Sequence, residues 1–473
     1  MPKIAFLGAG STVFTKNVVG DCLCTDALRA AEIALYDIDG QRLQESLRMV
    51  ETLNANVNGG RAKIRAYLGP GRRRAALRGA DYIVNAIQVG GYKPSTVVDF
   101  EAPKKYGLRQ TIGDTLGIGG IFRALRTIPV LEEFARDIAE VCPSAWFLNY
   151  TNPMSILTGA LLKMGVRTVG LCHSVQVCAG GLLRLAGMQR RAERVQWKIA
   201  GINHQGWLLE ITDRGRDLYP AIKRRVAASM ERIDRGGGAG KFRQRALWEA
   251  ARQGLDLKGD HQLVNDIRVT HDLVRLTLML RFGCYLTESS VHSAEYMPYW
   301  IKRTHPELLA RFGIALDEYP RRCIRQIENW RKMSRELVGN PTLQHTRSHE
   351  YASRIMHAME TGAPEHIGGN VLNTGLIPNL PAEACVEVPC LVDRNGVQGC
   401  YAGNLPEACA ALNRTAINVH LLTLAAAFSR RRDHVYQAAL LDPHTAAELS
   451  MDEIVSLCDD MLRAHGKWLP KFR

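Results

Sequence analysis

The chain of 473 residues has no apolar run that approaches the roughly 18–20 residues of a membrane span, so no transmembrane helix is expected. Its opening, MPKIAFLG, has neither a long apolar h-region nor a cleavage site, which predicts an unsecreted, cytoplasmic protein. It lacks a G-x-S-x-G nucleophile elbow and a Walker A loop, which argues against serine-hydrolase and P-loop chemistry. There are no internal repeats and no low-complexity tail. The twelve cysteines show no framework spacing, so they read as reduced thiols, of which one or two do chemistry. The net charge of +14 suggests a basic patch, but the arginines are scattered (GRRRAALR at 71–78, QRRAER at 189–194, SRRRDH at 429–434) and are not interleaved with aromatics. That pattern describes a solvated basic surface with no nucleic-acid partner.

What is present is the composition of an ordinary globular protein, 46% hydrophobic and 23% charged, long enough for two domains sharing a core. The first half alternates strands and helices. Strands are expected at 3–8, 32–39, 80–88, 145–153 and 167–172, and helices at 13–28, 41–57 and 121–142. Nearly continuous apolar strands in βαβ order mean a doubly wound parallel sheet. The second half differs. QWKIAGINHQGWLLEITD (196–213) alternates like antiparallel strands, and long helical patterns follow at 262–282 and 404–428. The glycine-rich, basic DRGGGAGKFRQR (234–245) reads as a mobile surface loop. The expected division is a Rossmann-type α/β domain over 1–195 and an α+β domain over 196–473.

KIAFLGAGST (3–12) is a strand running into a Gly-Ala-Gly-Ser turn. Gly8 and Gly10 let the backbone turn tightly and approach a pyrophosphate, and Ser11 opens a helix whose free N–H groups face the anion. Val13 stands where the third glycine of the full fingerprint belongs. Asp37, at the end of the second strand, is the carboxylate for the ribose hydroxyls. It favours NAD over NADP, although Arg42 close by argues the other way.

Cys172 and His173 follow a buried strand in VGLCHSVQ (169–176), and His204 lies in AGINHQGW (200–207). Thiolate and imidazole are metal-ligand types, and on their own they suggest zinc. Together with LNYTNPMSILTGA (148–160), GDTLGIGGIFRALRTIP (113–129), TESSVHSAEYMPYW (287–300) and GNVLNTGLIPNLPAEACVEVPCLVD (369–393), these blocks resemble, in order and spacing, the signature blocks of glycoside hydrolase family 4, and within it the α-galactosidase branch. The resemblance runs from Lys3 to DPHTAAELSMDEI and HGKWLP near the end.

The resemblance implies a lactate/malate dehydrogenase-like fold whose second domain also serves substrate binding and oligomerisation, a homodimer or homotetramer, and an α-galactoside substrate. It also implies NAD and Mn²⁺ as cofactors. The family stands outside two-carboxylate glycosidase logic. Its implied route oxidises C3 of the sugar, removes the now acidic C2 proton, eliminates the leaving group from C1, adds water and reduces the ketone again. By the same resemblance Cys172 and His204 are the Mn²⁺ ligands, Asn152 and Asp114 bind the sugar, and Tyr296 is the C2 base. His173 stands where other branches carry an aspartate acid, so it is either the acid or a hydrogen-bonding partner beside the metal. Two alternatives stand beside this reading: an α-glucosidase or α-galacturonidase of the same family, and an NAD-dependent dehydrogenase.

Overall fold

A computed structural model describes residues 1–259 and 261–473. Its backbone is one mixed sheet of 13 strands. In chain order these are β1 (Lys3–Leu7), β2 (Glu32–Asp37), β3 (Lys63–Leu68), β4 (Tyr82–Asn85), β5 (Trp146–Asn149), β6 (Thr168–Gly170), β7 (Val195–Ile202), β8 (Gln205–Asp213), β9 (Arg216–Asp217), β10 (Tyr285–Leu286), β11 (Glu365–Leu372), β12 (Cys385–Asp393) and β13 (Gly396–Gly399). The first six are all parallel, in the order β3-β2-β1-β4-β5-β6. This is the strand order of a dinucleotide-binding domain, with a crevice at the carboxyl ends of β1 and β4.

The alternation along β1 explains why the parallel half is buried on both sides. Ile4 and Phe6 join one apolar cluster, and Ala5 and Leu7 join the other. A strand covered on both faces needs apolar residues at every position, and β1 supplies them. The helices Thr12–Leu23, Gly40–Asn58 and Gly117–Val141 lie between the strands.

The sheet continues without a gap into an antiparallel half. β11 joins β6 through the pair Asn370↔Gly170, and β12 joins β7 through Glu387↔Gly201. β7 and β8 form a hairpin whose two-residue turn is Asn203–His204, and β10 closes that edge. A third apolar cluster, containing Leu182, Ile199, Leu208 and Ile222, fills this half. Among the described residues no helix is long and apolar enough to cross a membrane.

Two local expectations need correction. Residues 234–245 are not a mobile loop. The helix Tyr219–Arg235 ends there and the helix Gly238–Arg252 begins. Gly237 and Gly238 take φ of +87° and +85°, and a Cβ on Gly238 would lie 2.9 Å from Arg311 Cα. The glycines make a tight helix junction against a neighbouring backbone. The stretch 262–282 is two helices, Gln262–Val269 and Leu273–Phe282. Asp272 sits at the break, where its carboxylate accepts from Arg275 Nε (2.6 Å) and Ser290 Oγ (3.0 Å). All twelve cysteines are free thiols.

Candidate active site and metal centre

Every expected site residue of the first half lies at or just past the carboxyl end of a parallel strand or in the loop before the helix Gly117–Val141, and the antiparallel half brings His204 and Tyr296 to the metal and sugar end. Cys172 follows β6, His204 occupies the β7–β8 turn, and Glu288 follows β10. One ligand atom from each of these three lies within 4.8 Å of the other two. His204 Nε2 is 3.6 Å from Glu288 Oε2. The turn is held tightly. His204 takes a left-handed φ of +63°, Asn413 Nδ2 donates to Gln205 O (2.9 Å) and Asn203 Nδ2 to Glu387 Oε1 (3.4 Å).

The donor set fits a divalent transition metal. Burial pushes the Cys172 thiol well up, and the carboxylates of Glu387 and Glu288 add to this. Without a cation it is a thiol, 3.1 Å from Ser174 Oγ. Glu288 is partly buried, yet the imidazoles of His292 and His204 and the Ser289 N–H hold its carboxyl down at about 2. His292 is itself lowered by burial to about 4 and is therefore neutral near pH 7. A thiol, an imidazole and an ionised carboxylate converging on one point are completed by a cation that ionises the thiol.

Tyr296 stands on the other side of the same imidazole. Its hydroxyl is 2.8 Å from His204 Nδ1, and the two rings stack at 16°. With Nε2 toward Glu288, a proton on Nδ1 would donate to the Tyr296 oxygen, the kind of outer hydrogen bond that fixes the orientation of a metal-bound histidine. In the absence of a cation the phenol is pushed well above its ordinary range by burial and then by the carboxylates of Asp114, Glu295 and Glu288. A hydrogen bond with the Thr115 side chain opposes that shift in part, and positive charge arriving at the cluster would oppose it further.

Asp114 and Asn152 pair with each other: Asn152 Nδ2 donates to Asp114 Oδ2 (3.1 Å), and Thr115 Oγ1 donates to Asp114 Oδ1 (2.8 Å). Asp114 is buried, but Arg123, His292 and His204 together hold its carboxyl below the usual range. Asn152 Oδ1 is buried with no hydrogen-bond partner, an acceptor that a sugar hydroxyl would satisfy. His173 is set apart from this group. Its side chain is 47% exposed, and its Nε2 is 2.7 Å from Glu350 Oε2.

At the nucleotide end, Gly8 turns at φ +83°, where a Cβ would lie 2.7 Å from Ala86 O. Gly10 N donates to Asp37 Oδ2 (2.6 Å), and Asp39 N to Asp37 Oδ1 (2.9 Å). Ser11 caps the helix Thr12–Leu23 without a side-chain hydrogen bond, so the first-turn N–H groups stay open to an anion. Val13 points outward in that turn.

Sequence reasoning missed Glu288, His292, Glu295 and Glu387. Glu288, His292 and Glu295 lie inside TESSVHSAEYMPYW, and Glu288 and His292 are four residues apart, a spacing that could have pointed to one shared site. Glu387 lies in ACVEVPC, on a strand whose neighbours are apolar.

The model of the family 4 glycosyl hydrolases matches residues 3–188, and the model of the family 4 glycosyl hydrolase C-terminal domain matches residues 199–445. The chain belongs to glycosyl hydrolase family 4. The chain is similar to a Bacillus subtilis (strain 168) α-galactosidase, with 56% identity over 474 residues that cover 100% of both proteins. It is similar to the crystal structure of a putative glucosidase, lplD, from Bacillus subtilis, with a TM-score of 0.80 and 26% identity over 98% of this chain and 100% of the other. A 6-phospho-α-glucosidase from gut microorganisms, solved in complex with NAD and Mn²⁺, shares the family 4 fold at a TM-score of 0.75 and 19% identity, covering 100% of both chains.

Proposed function

We propose that this family 4 enzyme is an NAD- and Mn²⁺-dependent α-galactosidase that works by transient oxidation at C3, loss of the C2 proton and elimination at C1. The observation that carries the reading is one imidazole with three neighbours: His204 groups with Cys172 and Glu288, its Nε2 toward Glu288, and its Nδ1 meets Tyr296. The α-galactosidase relative, at 56% identity over its full length, supports the sugar. The relative solved with NAD and Mn²⁺ supports the pair of cofactors.

Cys172, His204 and Glu288 would hold the metal, and Gly8, Gly10, Ser11 and Asp37 the dinucleotide. Bound NAD⁺ would supply a hydride acceptor and bound Mn²⁺ a Lewis acid for the sugar's C2 and C3 oxygens. Asp114 and Asn152 take sugar hydroxyls, exchanging their bond to each other for bonds to substrate. Tyr296 takes the C2 proton as a phenolate, whose oxygen the Nδ1–H of His204 steadies beforehand, and is left as the phenol. We assign the leaving-group proton to His173, whose half-exposed ring is oriented by Glu350. On this reading residues 1–195 carry the nucleotide, and 196–473 complete the metal and sugar site.

Hydrolysis of p-nitrophenyl α-galactoside by dialysed protein tests the reading. Activity is expected to require both NAD⁺ and Mn²⁺, to be abolished by EDTA, and to release galactose with no net NADH. NADH accumulating in proportion to substrate would point to a dehydrogenase. Faster turnover of the α-glucoside or α-galacturonide would keep the chemistry and change the sugar.

A further inference from the structure

The proposed base and the proposed sugar-binding carboxylate come from separate elements. Tyr296 ends the short helix Ser290–Glu295, and Asp114 lies in the loop before the helix Gly117–Val141. The side chain of Glu295, next to Tyr296, joins them. Its Oε2 accepts from Thr111 N (2.7 Å), Thr111 Oγ1 (2.8 Å) and Ile112 N (3.0 Å), and its Oε1 from Gly113 N (2.7 Å). Three successive backbone N–H groups thus close on one carboxylate, in the manner of an anion nest. Gly113 takes a φ of +54°, and a Cβ there would lie 3.1 Å from the Phe100 ring. The loop is therefore fitted around the carboxylate at the residue that precedes Asp114.

Glu295 is 2% exposed, and water is not at hand to replace those bonds. Burial lifts its carboxyl to about 7 against the pull of the donors. The three N–H groups can only donate, so an oxygen that turned a proton of its own on them would orphan one, whereas the Thr111 hydroxyl, also 2.7 Å from Val291 O, can give its proton to either side. The arrangement calls for an acceptor at both oxygens. Glutamine offers one, and aspartate is a methylene short of the loop.

Resting on the proposed function above, we infer that Glu295 is a positioning residue, one that fixes the Tyr296 hydroxyl relative to the sugar held by Asp114 and Asn152, so that base and C2–H meet in reactive geometry. It touches neither substrate nor cofactor, and it acts through the loop on one side and the peptide of Tyr296 on the other. A misplacement of about 1 Å in such a pair costs on the order of 10² in rate. The cost falls on proton abstraction, because Cys172, His204 and the nucleotide turn lie on other segments and Glu288 precedes the helix Ser290–Glu295.

The test compares wild type, Glu295→Gln and Thr111→Val with p-nitrophenyl α-galactoside carrying protium or deuterium at C2. Glu295→Gln is expected to lower kcat by about 100-fold with KM, NAD⁺ affinity and Mn²⁺ affinity changed by less than about threefold, and to raise the isotope effect on kcat as proton abstraction becomes slower than the other steps. Thr111→Val, which removes the hydroxyl lying between Glu295 Oε2 and Val291 O and keeps the backbone N–H groups, is expected to show the same isotope signature with a loss of about tenfold. Unchanged kcat and isotope effect in a wild type that exchanges its C2 proton with solvent would overturn the positioning role alone. Loss of NAD⁺ and Mn²⁺ affinity in step with kcat, in both variants, would also overturn it, by making Glu295 a general support of the fold. A wild type that never exchanges C2 would overturn the elimination reading itself.

Discussion

Gly10→Ala gives the sharpest test of the nucleotide end. A Cβ at this position would lie 2.8 Å from Asp37 Oδ2 and 2.9 Å from Arg42 Cβ. Gly10 is not in the left-handed region, so alanine brings little backbone strain and the cost falls on Asp37. Its carboxylate has to swing out, which breaks the 2.6 Å bond from Gly10 N and moves the group assigned to the ribose. A hydrogen bond to a charged group contributes about 1.5–3 kcal/mol, which converts to an NAD⁺ Kd raised about 10- to 100-fold. Calorimetric titration of NAD⁺ into metal-free protein measures it, with thermal melting as the folding control. The double variant Gly10→Ala/Asp37→Ala closes a cycle. Once the carboxylate is gone the alanine has little left to displace, so the two effects are expected to be strongly non-additive. An NAD⁺ Kd within twofold of wild type, or simple additivity, would refute the assignment of Asp37.

Further expectations follow from the metal centre and from burial. Cys172→Ser replaces a thiolate by a far weaker ligand, so Mn²⁺ affinity should fall by more than the roughly 10- to 100-fold typical of losing a supporting residue, while NAD⁺ affinity stays within about twofold; Mn²⁺ titration measures both claims. Glu288→Gln should weaken Mn²⁺ binding as well, and retention of wild-type affinity would remove Glu288 from the ligand set. His420 is a stability prediction. Burial lowers its pKa to about 4, below the unfolded value near 6.5, so its neutral form stabilises the fold fully above about pH 6.5 and that contribution is lost as the pH falls toward 4. The shift corresponds to about 3 kcal/mol as an order of magnitude. Denaturant unfolding of His420→Leu between pH 7 and 4 should therefore show a shallower loss of stability than wild type, and equal slopes would contradict it.

Local chemistry was legible in the sequence wherever a few neighbouring residues carry it. The turn of Gly8 and Gly10 is one chain segment, and Asp37 follows at the end of the next strand, so the crevice could be read directly. Cys172 and His204 were legible because each sits in a distinctive block. Glu288 was not, since which polar residue of TESSVHSAEYMPYW faces Cys172 depends on how β10 closes against β8. Gly237 and Gly238 misled for a similar reason. Glycine composition suggests freedom, but here positive φ and the Arg311 backbone make the two residues a fixed junction. The break at Asp272 depends on Ser290, which a helical pattern over 262–282 does not register. The sheet's continuity across both halves rests on the single pairs Asn370↔Gly170 and Glu387↔Gly201, too few to leave a periodic signal.

The route through C2 separates this account from any direct displacement at C1. With NAD⁺ and Mn²⁺ present, hydrolysis of p-nitrophenyl α-galactoside in D₂O, followed by NMR of the released galactose, is the most direct measurement. If Tyr296 removes the C2 proton and solvent exchanges with it, the product carries deuterium at C2, and Tyr296→Phe loses on the order of 10²–10⁴ in turnover while still binding NAD⁺ and Mn²⁺. Galactose with only protium at C2 after complete turnover would contradict the account.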